Sequence, residues 1–225
     1  MQIDDRRSET AEVEFGVPQS SILGPVIFNL YVVDLQNEMD CDCYQYADDT
    51  TFLVHSKPSE LDASADDVNK TITRLRDYSK ECNLALNTSK TKWMLISTPQ
   101  MARHHSLEER QLQITCGNTS LDRITCTKLL GVHMDQHMTW KAHVNEVLRA
   151  SYGTLSVLRR LKNMAPFHVR KHLVESLVLS KVNYACTVYY PLPAYQMKRI
   201  QRLQNACAGF VVRRFAGVED VAKLN

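Results

Sequence analysis

The stretch that decides the fold is Gln45–Phe52, QYADDTTF, which places two aspartates side by side between residues that favour strands. The flanking tyrosine and threonines suit a pleated, half-buried surface, whereas Asp48 and Asp49 do not. Two carboxylates about 4 Å apart repel by roughly 4 kcal/mol at an effective dielectric near 20, so water or a cation must offset their charge. The pattern therefore predicts a hairpin whose Asp-Asp turn is either solvated or a cation site.

The segments before this hairpin predict a strand, a loop and a helix. EVEF at 12–15 alternates as a short strand, and GVPQSSILGP at 16–25 has glycines and prolines at both ends. Pro25 fits the first turn of a helix, where its missing N–H is harmless. The mostly apolar sequence VIFNLYVVDLQNEM at 26–39 indicates that this helix is buried.

The segments after the hairpin continue the mixed pattern. Apolar residues recur at three- and four-residue steps from Leu61 to Cys82, which predicts an amphipathic helix with one buried face. LALN at 84–87 and KWMLIS at 92–97 are typical of strands around a turn. The polar sequence at 98–110 predicts a surface loop.

Two further segments complete the β content, and helices follow. LQITCGNTSL at 112–121 predicts a hairpin with a Gly-Asn turn, and TCTKLLGVHMD at 125–135 predicts one more strand. From Thr139 the apolar period becomes 3.6, which predicts three helices that form a bundle. The fold class is therefore α+β, with a mixed domain at 1–136 and a helical domain at 137–225.

Charge is distributed unevenly along the chain. The net charge is only +2, but residues 137–214 contain 13 Lys and Arg against two Glu. The rest of the chain is correspondingly acidic. A basic half beside a carboxylate-bearing half favours a polyanion partner plus a metal, although two solvated surfaces of opposite sign are also compatible with the pattern.

Composition restricts the class of protein. The chain has 225 residues, of which 44% are hydrophobic and 23% charged, as in globular proteins. No apolar run reaches the roughly 20 residues of a membrane span, and the charged N-terminus does not resemble a secretory signal. Seven cysteines, an odd number, predict reduced thiols inside a cell, with no signal that separates nucleus from cytoplasm.

Five segments together resemble the reverse transcriptases of non-LTR retrotransposons. They are, in the order found in that family, GVPQSSILGP at 16–25, YADD at 46–49, LNTSKTK at 86–92, KLLGVHMD at 128–135 and WKAHV at 140–144. Each segment alone is weak evidence, but five segments in the order and spacing of the family are not expected by chance. The resemblance implies a partial polymerase palm, an antiparallel sheet with helices, at 1–136, and a basic, all-α, thumb-like bundle with a C-terminal extension at 137–225.

The resemblance implies nucleotidyl transfer, in which a primer 3′-hydroxyl attacks the α-phosphorus of a deoxynucleoside triphosphate. In that chemistry two Mg²⁺ (or Mn²⁺) ions stabilise the entering and leaving oxygens. Asp48 and Asp49 match the family's catalytic, metal-binding pair, with Asp48 expected to be the stronger ligand. Hard divalent ions prefer such carboxylate oxygens, and a cation there would offset the repulsion within the pair.

Substrate contacts are implied by the same resemblance. Gln19 lies in the family's loop beside the incoming nucleotide and template, and Lys90 matches a lysine near the triphosphate that neutralises charge or protonates pyrophosphate. Ser20 stands where the family usually has glycine, and its side chain occupies space that a base or sugar would pass. Taken without the resemblance, Lys90 is an ordinary turn lysine and the loop a strand-to-helix connection.

The implied partners are an RNA template, a DNA primer and their duplex. Leu130 and Gly131 match the family's primer-gripping hairpin, which holds the primer end through backbone groups. Arg159, Arg160 and Lys162 in the basic helices are expected to contact phosphates without sequence preference. The sequence predicts no membrane partner and carries no indication of oligomeric state.

The resemblance implies a first catalytic aspartate on a strand that precedes GVPQ, and residues 1–15 do not contain that motif, since Asp4 and Asp5 lie in a charged segment without an apolar pattern. The fingers domain that precedes the palm in this family is missing as well. We therefore expect weak metal binding and little or no polymerase activity from this chain alone. The main alternative is a non-enzymatic, nucleic-acid-binding remnant of such a polymerase, and a further one is a decayed fragment that folds poorly.

Other chemistries are disfavoured by the sequence. Cys41 and Cys43 lack a second cysteine pair for zinc, and His133 and His137 lack the glutamate of a zinc protease motif. His104 lies in a polar stretch and is expected to be solvated. There is neither a G-x-S-x-G elbow nor a P-loop.

Overall fold

The computed structural model describes residues 2–3, 6–7, 16, 21–161 and 164–212. The backbone forms two compact units: the first comprises Met1–Trp93 and His105–Asp122, and the second Met94–His104 and Arg123–Asn225. Helices and two-stranded antiparallel sheets occur in each unit, which confirms the α+β class.

The first unit begins with a short antiparallel pair, β1 (Gln2–Ile3) and β2 (Arg6–Arg7). The strand predicted at 12–15 lies outside the described residues. Helix α1 (Gly24–Tyr31) follows, with proline in its first turn as predicted, and continues into a 3-10 helix (Val33–Gln36).

Helix α1 is not the buried helix that its composition predicts. Leu30 is 67% exposed, and Val26 and Ile27 are exposed as well. The same holds for Ile22 just before the helix, which is 94% exposed, and for Val33 just after it. Leu35, in the 3-10 helix, is buried. An apolar helix becomes buried only where another element packs on it, and no described residue covers this face.

Strands β3 (Asp42–Tyr46) and β4 (Asp49–Leu53) form the predicted hairpin. Helix α2 (Leu61–Glu81) confirms the amphipathic prediction, since it buries Ala65 and Ile72 in a small core. The other buried members of that core are Ile114, Cys116 and Leu121.

The remaining strands of the first unit are short. Strand β5 (Lys92–Trp93) is all that forms of the two strands predicted at 84–97. Its side chains make two further contacts: Trp93 Nε1 donates to the Leu121 carbonyl at 3.1 Å, and Lys92 forms a 2.7 Å ion pair with Asp122.

A second hairpin closes the first unit. Strands β6 (Thr115–Cys116) and β7 (Thr119–Ser120) flank the predicted turn at Gly117, whose φ of +61° favours glycine. Strand β8 (Asp122–Arg123) lies at the division between the two units.

The second unit contains a helix where a loop was predicted. Helix α3 (Pro99–His104) buries Ala102, and the Thr98 hydroxyl accepts the Met101 N–H at 3.3 Å. The prediction at 98–110 was wrong in this part because a short helix with one buried alanine is as polar in composition as a loop.

Strands β9 (Cys126–Leu129) and β10 (Val132–Asp135) form a hairpin in the segment predicted from its pattern to be one strand. Residues on both sides of the turn favour strands, so composition alone did not indicate that the chain reverses at Leu130 and Gly131. The hairpin agrees with the resemblance to the polymerase family.

The predicted helical bundle is confirmed in the second unit. It consists of α4 (Lys141–Arg160), α5 (Phe167–Val174), a π-helical segment (Glu175–Leu179), α6 (Ser180–Asn183) and α7 (Ala194–Val212). Leu155, Val178 and Leu203 are fully enclosed at its centre. Among the described residues, none of these helices combines the length and apolarity that crossing a membrane requires.

Candidate functional site

The β3–β4 turn consists of Ala47 and Asp48, because Tyr46 and Asp49 are directly paired across the hairpin. The prediction of an Asp-Asp turn is therefore shifted by one residue. Ala47 has φ +53°, a left-handed conformation, which lets the chain reverse within two residues. Asp48 lies at the apex and Asp49 begins β4, so the two carboxylates leave the backbone at different points of a short, well-defined turn.

Both carboxylates are exposed, and within the described part of the chain neither has a hydrogen-bond or ion-pair partner. The same part contains no group of three or more His, Cys, Asp and Glu arranged to hold a metal. Two free carboxylates nevertheless fit a hard divalent ion, since Mg²⁺ is commonly bound through one or two carboxylates, several waters and substrate phosphates.

The face of the hairpin that carries Asp49 is aromatic. Tyr44 and Tyr46 alternate along β3 and are 59% and 66% exposed, and Asp49 is the direct cross-strand partner of Tyr46. At the far end of this face, His55 lies 3.7 Å from Asp42. The turn thus joins free carboxylates to an exposed tyrosine surface suited to sugars or bases.

Lys90 lies in a turn organised by Asn87. The Asn87 side-chain oxygen accepts from the Ser89 hydroxyl at 2.7 Å and from the Lys90 N–H at 3.2 Å. The Asn87 backbone carbonyl accepts from the Thr91 hydroxyl at 2.9 Å. The ammonium of Lys90 is exposed, with no partner among the described residues. Lys90 and the Asp48 turn belong to the same unit, and no described hydrogen bond or ion pair joins them.

Gln19 and Ser20 lie outside the described residues. Of the loop that contains them, Gly16 has φ +88°, and at the other end the Ser21 hydroxyl accepts the Gly24 N–H at 2.9 Å. The hydrogen bond between Ser21 and Gly24 lies at the start of α1.

The β9–β10 turn is formed by Leu130 and Gly131, both left-handed, with φ of +45° and +86°. The Tyr184 hydroxyl donates to the Leu130 carbonyl at 2.7 Å. A Cβ added at Gly131 would lie 3.1 Å from Tyr184 Cε1, so the ring packs against the glycine. Tyr184 thereby fixes the turn to the end of α6, a role for which the sequence carried no signal.

Two polar residues, Asp135 and His143, join the β9–β10 hairpin to α4. Asp135, the last residue of β10, accepts from the backbone N–H groups of His137, Thr139 and Trp140 and from the Thr139 hydroxyl, at 2.9–3.1 Å. Desolvation raises the pKa of Asp135, but these hydrogen bonds outweigh it and leave the pKa below its usual value.

His143 is buried at the start of α4 and accepts the His133 N–H through Nδ1 at 3.3 Å. Its ring lies 4.8 Å from that of Tyr189. Burial, reinforced by the charge of His133, lowers the pKa of His143. The neutral imidazole is therefore the form that supports the hairpin.

Of the three basic residues predicted to contact the duplex, Arg159 and Arg160 are exposed in the last turn of α4. They have no ion-pair partner among the described residues, and their position also complements the helix dipole. Lys162 lies outside the described residues.

The chain matches known proteins over most of its length. Residues 1–134 match the family model described as reverse transcriptase (RNA-dependent DNA polymerase). A probable RNA-directed DNA polymerase from transposon X-element of Drosophila melanogaster is 24% identical over 88% of this chain and 22% of its own length. The RNA-directed DNA polymerase from mobile element jockey of the same species is 21% identical over 90% of the chain, again covering 22% of the relative.

A third relative is covered more fully. The retrovirus-related Pol polyprotein from type-1 retrotransposable element R1 of Nasonia vitripennis is 22% identical over 82% of this chain and 55% of its own length. No solved structure matches the chain significantly. The chain spans about a fifth of the length of the two Drosophila relatives. More than half of the chain matches the reverse transcriptase family model. The chain therefore belongs to the reverse transcriptase family, with relatives among non-LTR retrotransposons.

Proposed function

We propose that this chain is the palm and thumb part, 1–136 and 137–225, of an RNA-directed DNA polymerase of a non-LTR retrotransposon. The observation that carries the proposal is the tight YADD turn, with two exposed, unpaired carboxylates, in a chain whose first 134 residues match the reverse transcriptase family. Template RNA, primer DNA and deoxynucleoside triphosphates are the substrates of that activity.

Asp48 and Asp49 are the proposed metal ligands. Members of the family use divalent metal ions, and Mg²⁺ bound at this turn would supply stabilisation of the entering and leaving oxygens during nucleotidyl transfer. The two carboxylates come from adjacent residues of one tight turn, so a single ion could contact both. Their role is to provide negative oxygens at the place where the primer end and the triphosphate meet.

The other proposed roles concern binding and orientation. Lys90, presented by the Asn87 turn, neutralises charge on the triphosphate or its leaving group. Gln19 and Ser20 line the nucleotide and template side. Leu130 and Gly131 hold the primer end through their backbone, and Arg159, Arg160 and Lys162 contact phosphates of the duplex.

We further propose that this chain alone extends a primer slowly or not at all. Two-metal catalysis generally uses more protein ligands than one carboxylate pair, and the described residues bring no third ligand to the Asp48 turn. A primer-extension assay with RNA template and Mg²⁺ should give background synthesis only. Robust synthesis that Asp48→Asn abolishes would show that the chain is a complete catalyst.

The metal-binding part of the proposal has a direct test. Mn²⁺ titration followed by electron paramagnetic resonance should show weak binding that Asp48→Asn/Asp49→Asn abolishes. The matched control is Asp66→Asn/Asp67→Asn, which removes an adjacent pair of aspartates from helix α2. Equal Mn²⁺ binding by the two double variants would remove the Asp48 turn as the metal site.

A non-enzymatic nucleic-acid-binding remnant is the second candidate, favoured by the exposed arginines at the end of α4. It predicts binding of RNA or DNA through the 137–214 segment that is unchanged in Asp48→Asn and independent of divalent ions. Nucleic-acid binding that requires both Mg²⁺ and Asp48 would favour the polymerase instead.

A further inference from the structure

An open groove of about 390 Å³ lies between helices α4 and α7 in the second unit. Its walls are Asn145, Leu148, Arg149 and Tyr152 from α4 and Arg199 and Arg202 from α7. Asn145, Arg149 and Tyr152 follow one another on α4 at steps of four and three, and Arg199 and Arg202 are three apart on α7, so each set shares a helix face. The groove thus brings together three guanidinium groups that are up to 53 positions apart in the sequence.

A second groove, of about 380 Å³, adjoins the first because Asn145 lines both. Its lining includes Lys141 and also Asp135, whose carboxylate is occupied by the hydrogen bonds from His137, Thr139 and Trp140 described above. From Lys141 to Tyr152 the two grooves follow α4 for about 16 Å, at 1.5 Å per residue. That length corresponds to about five nucleotides of one strand at 3.4 Å each.

The charges in this continuous groove are not neutralised equally. Arg149 is paired with Glu146 on its own helix at 2.8 Å. The charged groups of Arg199, Arg202 and Lys141 have no hydrogen-bond or ion-pair partner among the described residues. Three unpaired cations along one open surface repel one another, and a bound polyanion would relieve that repulsion.

Three other basic residues of the bundle have structural partners. Arg170 is buried and donates to the Phe210 carbonyl at 3.4 Å. Lys181 donates to the Thr154 hydroxyl at 2.5 Å, and Lys171 lies 3.9 Å from Glu175. Among the described residues of the bundle, six cations therefore have no partner: Lys141, Arg199 and Arg202 in the groove, and Arg159, Arg160 and Lys198 outside it.

We infer that the groove along α4 is a binding track for one strand of nucleic-acid backbone, with Arg199, Arg202 and Lys141 on the phosphates. Guanidinium groups bind phosphate oxygens through two parallel N–H donors, and Asn145 can donate to a further oxygen. Tyr152, 40% exposed, provides an aromatic face for a sugar or base. The inference rests on the proposed nucleic-acid-binding function and assigns it to residues other than Arg159, Arg160 and Lys162.

The test is fluorescence anisotropy of a labelled RNA–DNA primer–template with the full chain over a range of salt concentrations. Arg199→Ala and Arg202→Ala should each weaken binding roughly tenfold. Each should also make the plot of log K against log salt shallower by about 0.9, the loss of one phosphate contact. Arg202→Lys should keep the slope, because it keeps the charge.

The matched control is Lys198→Ala, which removes one exposed charge from α7 beside Arg199 but outside the groove. Its affinity should change no more than about twofold. Thermal unfolding shows whether each variant is folded. If an alanine substitution perturbs α7, Arg202→Lys still tests the role of the charge at that position. If the chain binds but the groove variants behave like Lys198→Ala, the groove assignment fails while nucleic-acid binding stands. If the unaltered chain does not bind the primer–template, the groove assignment and the proposed nucleic-acid binding both fail.

Discussion

The hydroxyl of Tyr184 donates a 2.7 Å hydrogen bond to the carbonyl of Leu130, and its ring packs against Gly131 at the tip of the β9–β10 hairpin. Tyr184 caps the end of α6, so the contact ties the hairpin turn to the helical bundle. The hairpin that the resemblance assigns to primer binding is therefore supported by a side chain 54 residues later in the sequence.

Removing the Tyr184 hydroxyl should destabilise the second unit modestly. Tyr184→Phe keeps the ring against Gly131 but leaves the Leu130 carbonyl to solvent, so we expect a loss of about 1 kcal/mol in the free energy of unfolding. Urea unfolding followed by circular dichroism measures it. Tyr190→Phe, at an exposed tyrosine with no described hydrogen bond, is the control, and equal effects of the two substitutions would contradict the hydrogen bond's role.

A side chain at Gly131 should be costly for two reasons. Its φ of +86° is disfavoured for any L-residue, and the new Cβ would meet the Tyr184 ring at 3.1 Å. We expect Gly131→Ala to lower the free energy of unfolding by about 1–3 kcal/mol. Gly153→Ala is the control: Gly153 lies inside α4 in open space, so alanine there should stabilise by up to about 1 kcal/mol. A neutral Gly131→Ala would mean that the turn relaxes without cost.

Stability of the second unit should fall as pH decreases through the histidine range. The pKa of His143 is lowered in the folded chain from its usual 6.5, so the unfolded chain binds the proton more readily. Its contribution is complete above pH 6.5 and is lost progressively below that value. Urea unfolding between pH 5 and 8 should show a slope that His143→Gln reduces.

His168 supplies the comparison for that measurement, since it is an exposed histidine of α5. His168→Gln should leave the pH dependence of unfolding unchanged. The same slope in the parent chain and in His143→Gln would show that another group titrates.

Polar substitution on helix α1 should improve solution behaviour without destabilising the fold. Leu30 is exposed, so Leu30→Ser should change the free energy of unfolding by no more than about 0.5 kcal/mol while reducing aggregation seen by light scattering. Leu35→Ser, at a residue only 4% exposed, is the control and should cost about 2–5 kcal/mol. A comparable loss from Leu30→Ser would show that this face is covered in solution.

Local patterns were sufficient for several elements. The alternation around Asp48, the Gly117 turn and the 3.6-residue periods of α2, α4 and α7 each depend on neighbours within one or two turns of the chain. Such patterns did not place Ala47 rather than Asp49 in the turn, because both fit and only cross-strand pairing selects the register. Nor did they identify α3, whose single buried alanine leaves almost no period.

By itself the sequence determined the α+β class, the β3–β4 hairpin, the long helices α2, α4 and α7 and, through five short motifs, membership of the reverse transcriptase family. The tertiary structure decided which side chains meet: Tyr184 with Leu130, His143 with His133, and Arg199 and Arg202 with Arg149 across a groove. It also left the apolar face of α1 exposed. The physical reason is that periodicity records only which residues share a face, whereas contacts between distant residues depend on how those faces pack.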